Sequence, residues 1–145
     1  SELTYRSLAS FGKRQEFAAI SELLRRGYDV YQTLVDDQGI DCIIHKVVNG
    51  KPVYIDLQIK ARSKDCKPYD AARFAAFDVN DPRENFLFIF YAERLASYWI
   101  IPSLDLVRLG SRNVKGRNVG KYHILLSGHR EGKAHLTCSC VRINV

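Results

Sequence analysis

The chain has 145 residues, 46% of them hydrophobic and 26% charged, with a formal net charge of +6; residues 1–145 are read as one domain, long enough to bury a real core. The positive balance favours a polyanion as partner. No apolar run reaches the length of a membrane span and no signal-peptide pattern opens the sequence, so no membrane association is expected and the cytoplasm is the expected location.

The first expected element is a helix over residues 13–26, closed by Gly27 just past its end. Phe17, Ile20, Leu23 and Leu24 recur at helical spacing and are expected to form its buried stripe. Glu16 lies four residues before Ile20 and seven before Leu23, over that stripe. A carboxylate aimed at a core needs a metal, water or a cation as partner; a pairing with Lys13 or Arg14 is the alternative. Glu22 falls off the stripe and is expected in solvent.

Next come two strands, about Asp41 to Val48 and Val53 to Ala61, joined at Asn49-Gly50, a two-residue hairpin signal. The second strand alternates strictly. Val53, Ile55, Leu57, Ile59 and Ala61 belong to one face; Tyr54, Asp56, Gln58 and Lys60 belong to the other, with same-face neighbours roughly 6.5–7 Å apart. Antiparallel pairing brings Asp41 opposite the far end of the second strand, near Gln58 and Lys60. An acid, an amide and an amine so placed suit a divalent cation and a phosphodiester. The cation would act as Lewis acid and activate water, and Lys60 would add positive charge beside the phosphate. A half-solvated strand with polar outer residues is the plainer alternative. No GxSxG and no GxxxxGK[ST] offers a competing serine-hydrolase or nucleotide-binding motif.

Glu16 on a first helix, then Gly39-Ile40-Asp41, then Gln58-Ile59-Lys60 on an alternating strand, resemble the PD-(D/E)XK nuclease superfamily in its QxK variant. The spacing is similar to small restriction and homing endonucleases, Mrr-type domains and Holliday-junction resolvases, and the motifs cover about residues 10–62. The resemblance implies an α/β, restriction-endonuclease-like core with a central mixed β-sheet flanked by α-helices. It implies a Mg²⁺-dependent endonuclease, with Mn²⁺ able to substitute, that hydrolyses DNA to 5′-phosphate and 3′-hydroxyl ends. Asp41 would be the central metal ligand, with the Gln58 amide oxygen, the Ile59 carbonyl and Glu16 completing the set. Lys60 would orient or help deprotonate the attacking water, or stabilise developing charge. Gln58 departs from the usual Asp or Glu, and an amide oxygen is a poorer ligand for a hard cation. Asp56 is either a compensating ligand or a bystander at the edge. So small a catalytic domain is expected to act as a homo-oligomer, a dimer or tetramer, on two strands. A catalytically inactive nuclease-fold module that only binds DNA is the main alternative, and an RNA-directed nuclease a third.

Further along, Tyr69 to Phe77 reads either as helix or as a loop leading into a short strand. Asp81-Pro82-Arg83-Glu84 is a turn signal. Asn85 to Tyr91 is a continuous apolar run suited to a strand buried on both faces. Ser97 to Ile101 forms the following strand, and Ser103 to Leu109 a short helix capped by Ser103. The aromatic cluster Phe86, Phe88, Phe90, Tyr98 and Trp99 is expected in the core and at a subunit interface.

Two basic groups are candidate contacts to a nucleic-acid backbone: Arg62, Lys64 and Lys67 after the QxK strand, and Arg108, Arg112, Lys115, Arg117 and Lys121 in a glycine-interrupted segment. A solvated surface loop is the alternative for the second group. The cysteines are expected to be reduced, with Cys42 facing the core. His135, Cys138 and Cys140 are read as part of a strand over residues 135–143 in preference to a zinc site that would also draw on His129.

Overall fold

The computed structural model describes residues 5–35, 38–126 and 141–144. Helix α1 (Tyr5–Arg25) starts earlier than the sequence pattern suggests and stops where expected. Gly27 takes φ +86°, its N–H donates to the Leu24 carbonyl at 3.0 Å, and the Tyr28 N–H donates to the Leu23 carbonyl at 3.2 Å. These two bonds satisfy the last carbonyls of the helix, and only a glycine reaches that φ without strain.

The buried face of α1 is the expected one only in part: Leu23 is buried and Ile20 packs against the core, but Phe17 and Leu24 do not. Gln15, Ala19 and Leu23 are buried, while Phe17 is 50% and Leu24 55% exposed. The arc of largest side chains is not the arc that packs: Ala19 lets the helix backbone come close to Cys42, Ile44 and Leu57 of the sheet. Glu22, expected in solvent, is half-buried and paired with Arg25 and Arg26 at 3.0 and 2.9 Å.

Strands β1 (Asp29–Gln32), β2 (Cys42–Val48) and β3 (Lys51–Arg62) run antiparallel in that order. The β2–β3 turn is Asn49-Gly50, both at positive φ (51° and 76°), the geometry whose twist matches a two-residue hairpin. After β4 (Arg73–Phe77) the chain returns as β5 (Phe86–Ala92), parallel to β3, and then as β6 (Ser97–Pro102), antiparallel to β5. Residues 69–77 therefore follow the loop-and-strand reading. Helix α2 (Ser103–Leu109) follows, then β7 (Ser111–Arg112), β8 (Tyr122–Leu125) and β9 (Val141–Asn144). The main sheet is mixed, ordered β1-β2-β3-β5-β6-β9, and a second sheet is ordered β4-β8-β7. β9 is the end of the strand expected over 135–143; His129, His135, Cys138 and Cys140 lie outside the described residues.

β5 explains the layering. Its odd-numbered residues, Ile89 among them, join α1 in one apolar layer with Leu57, Cys42 and Tyr98. Its even-numbered residues, Phe86, Phe88 and Phe90, join the second sheet and α2 in another, with Phe74, Phe77, Trp99, Ile101 and Leu106. Phe88 and Phe90 have no exposed surface, as expected for a strand covered on both faces. The aromatic cluster is core, divided between two layers. Among the described residues no helix is long and apolar enough to cross a membrane.

Ser103 is not a helix cap. Its hydroxyl accepts from the Arg83 N–H and donates to the Arg83 carbonyl, both at 3.0 Å, and the residue is fully buried. A hydroxyl committed to the 81–85 turn cannot also reach the first turn of its own helix.

Candidate functional site

The β2–β3 register pairs Cys42 with Leu57, so Asp41 stands one step further on, level with Gln58. Cys42 and Leu57 face α1; Asp41, Gln58 and Lys60 therefore fall on the opposite face, beside Phe88 and Phe90 across β5. Regular ladder pairing ends there. Asp41 still donates its N–H to the Leu57 carbonyl at 2.8 Å, but its carboxylate Oδ2 accepts the Ile59 N–H at 2.6 Å. An extended residue points its N–H and C=O to the same side, so the Ile59 carbonyl faces the same edge as the Asp41 carboxylate. Thr33 steadies the approach, its hydroxyl donating to the Ile40 carbonyl at 2.8 Å.

Gln58 is oriented by its neighbours. Its Nε2 donates to the Gly39 carbonyl at 3.1 Å and its Oε1 accepts from Lys60 Nζ at 3.2 Å, the orientation that satisfies both groups. Gly39 suits this position on two counts. It holds φ +69°, and a Cβ there would lie 3.3 Å from the Gln58 amide.

Glu16 approaches from the α1 layer. Its side chain is only 12% exposed and is paired with Lys13 at 3.2 Å, so the inward placement and the lysine partner both hold. Cys42, next to Asp41 in the chain and packed in the α1 layer, has no exposed surface. Burial pushes its thiol up to about 12, and Asp41 and then Glu16 push the same way, which puts both carboxylates within electrostatic reach of one sulfur.

Asp56 belongs to another set. It pairs with Arg83 Nη2 at 2.5 Å, and that guanidinium also lies over the Phe86 ring at 4.6 Å. Its carboxylate is engaged in locking the 81–85 turn against β3.

The oxygens gathered at this edge are the Asp41 carboxylate, the Gln58 amide and the Ile59 carbonyl, with the Glu16 carboxylate on the α1 side of the sheet. That set fits a hard divalent cation in kind. It is poor in charge: among the described residues no group of three or more His, Cys, Asp or Glu converges as a metal cage.

No protein-family model matches the chain, and no curated protein matches it. A solved structure does. The chain resembles a bacterial homing endonuclease in fold. That protein is I-Ssp6803I; the superposition covers 86% of this chain and 80% of that chain, with a TM-score of 0.57 and 18% sequence identity. Likeness to I-Ssp6803I at this identity establishes the α/β architecture alone.

On this homing-endonuclease-like frame the basic residues divide. Arg62 shares the face of Lys60 and is half-buried, while Lys64 and Lys67 are exposed on the following loop. Arg108 pairs with Asp105 at 3.3 Å. Arg112 is a fastener: its Nε donates to the Gly120 carbonyl at 3.2 Å and its guanidinium lies over Tyr122. Lys115 and Arg117 are exposed on the β7–β8 loop, and Lys121 is half-buried at its exit. The glycine-interrupted segment is thus a hairpin loop, closed by Asn113 N–H to Lys121 O and Gly120 N–H to Asn113 O at 2.9 and 2.8 Å. Arg73, absent from the expected set, lies on β4 beside Lys60 and Arg62 in one cleft. The signal for it is the alternation after Ala72, where Arg73 and Ala75 are exposed and Phe74 buried.

Proposed function

We propose that the protein is a metal-dependent endonuclease of PD-(D/E)XK type, QxK variant, hydrolysing DNA phosphodiester bonds in a restriction, homing or structure-specific role. The observation that carries this reading is the edge where Asp41, Gln58 and Lys60 meet, with Lys60 Nζ 3.2 Å from the Gln58 amide oxygen, in a fold similar to that of a homing endonuclease. Asp41, Gln58, the Ile59 carbonyl and Glu16 would hold Mg²⁺, or Mn²⁺ in its place. When bound, the cation supplies Lewis-acid polarisation of the phosphate and a more acidic water. Asp41 keeps its place through the Ile59 N–H, since a carboxylate has lone pairs for an amide and a cation together. Lys60, aimed by Gln58, orients the attacking water and stabilises negative charge developing on the phosphate. Lys115, Arg117 and Lys121, with Lys64 and Lys67, are proposed as backbone contacts that set register without reading bases. Two sites in a dimer or tetramer would address two strands.

The test is nicking of supercoiled plasmid with Mg²⁺ and with Mn²⁺. Wild type is expected to cut, and Asp41→Ala and Lys60→Ala to lose at least about 100-fold in rate while still binding DNA. The low carboxylate count favours one second reading, a DNA-binding module without catalysis. Salt-sensitive binding with no cleavage on plasmid, branched DNA or random-site libraries would establish it in place of the first.

A further inference from the structure

β3 runs on past Lys60, and the alternation that brings Gln58 and Lys60 to the site face brings Arg62 there as well. Arg62 Nε is shut from solvent with no hydrogen-bond acceptor, the single such side-chain atom among the described residues. A buried donor left unpaired is costly, and more so when it carries charge, so Arg62 gains if its guanidinium turns to meet an acceptor in the cleft it lines. The space beside it is a half-open cleft of about 120 Å³ whose lining includes Lys60, Arg62, Arg73, Phe74, Ala75 and Phe77. Three cations line it and no acid does. Asp70 pairs with Arg73 Nε at 3.2 Å, but that arginine side chain is 55% exposed, so the pair constrains it weakly.

The far wall of the cleft is shaped for the purpose. The β4–β8 ladder slips between Ala75 and Phe77, with Ala76 held at φ +58°. The extra residue turns both Phe74 and Phe77 into the core and leaves two alanines on the open side. An alanine at positive φ costs on the order of 1 kcal/mol, and bulges of this kind recur beside functional sites.

We propose that this cleft seats a second phosphate of the substrate backbone, next to the one attacked at Lys60, with Arg62 gripping it from below and Arg73 closing over it. The inference rests on the nuclease reading of the Lys60 edge. Lys60 and Arg62 project about 6.5–7 Å apart, close to the separation of successive phosphates along a nucleic-acid strand. Arg62 and Arg73 are positioning residues, and the seat requires an internal phosphodiester with a charged neighbour.

The experiment measures binding of a short random-sequence DNA duplex across NaCl concentrations in EDTA, and plasmid nicking with Mg²⁺, for wild type, Arg62→Gln, Arg73→Gln, the double variant and Arg62→Lys. The double variant is expected to lower the slope of log K against log[salt] by about 0.9, one phosphate's worth. Each single variant should weaken binding and raise KM with kcat little changed, and Arg62→Lys should keep the wild-type slope. The proposal is overturned if the double variant keeps the wild-type slope, if the singles add to about 1.8 and so mark two phosphates, or if wild type does not bind DNA. Should Arg62→Gln fail to fold, Arg73→Gln, altered only at the surface, decides by its own affinity and KM. Wild type that binds without cutting would remove the nuclease reading and leave the slopes to judge the phosphate seat.

Discussion

Gln58 is where a single residue matters most. Its amide serves two neighbours at once, the Gly39 carbonyl and the Lys60 ammonium. A carboxylate could hold Lys60 but not donate to Gly39. Gln58→Glu is therefore expected to lose about 1 kcal/mol of folding stability through the missing hydrogen bond. In the proposed Mg²⁺ site the same change would add a charged oxygen, so the Mg²⁺ concentration for half-maximal nicking should fall several-fold. A titration of nicking rate against Mg²⁺ checks this; an unchanged or raised requirement would mean Gln58 is no ligand. Asp56, equally prominent on the same strand face, teaches the converse. Its parity with Gln58 was legible in the alternation, but its partner Arg83 comes from a turn 27 residues away, and nothing local to β3 announces it.

Among the elements, the β2–β3 hairpin forms from its own residues: strict alternation and an Asn-Gly turn define its register, and with it the meeting of Asp41 and Gln58. The 81–85 turn is different, because it is held from outside. Ser103 at the start of α2 satisfies both the N–H and the C=O of Arg83. Ser103→Ala leaves those groups unpaired against the core and should cost about 2 kcal/mol in urea unfolding, with the Asp56–Arg83 pair loosened. A loss below about 0.5 kcal/mol would show that the turn holds itself. A serine ahead of a short helix reads as a cap from sequence because capping is the commonest local use of that residue. Here the tertiary partner outcompetes the local one.

At the scale of the whole molecule, the α1-side layer buries two weak acids. Burial, then Asp41 and Glu16, push Cys42 up to about 12 from 9.0. Burial, then Tyr91 and Glu22, push Tyr98 up to about 12 from 10.0, with Arg25 opposing. Both folded values lie above the unfolded ones, so the folded state holds protons that the unfolded chain releases. Their contribution to stability is intact below pH 9.0 and is lost as pH rises toward about 12. Urea unfolding across that range should show stability falling with pH, less steeply in Cys42→Ala; equal slopes would mean the thiol does not titrate with folding. The sequence by itself determined the helix stop at Gly27, the β2–β3 hairpin with Asp41, Gln58 and Lys60 on one edge, and β5 as a strand covered on both faces. Each rests on short-range periodicity or a residue with a special φ, which neighbours in the chain suffice to specify. Only the tertiary structure decided which arc of α1 packs, because fit to the sheet counts for more than side-chain size. It also decided that β4 and the β7–β8 hairpin form a second sheet beside the site, bringing Arg73 to Lys60 and Arg62. Such a juxtaposition depends on distant strands pairing, and no local pattern encodes it.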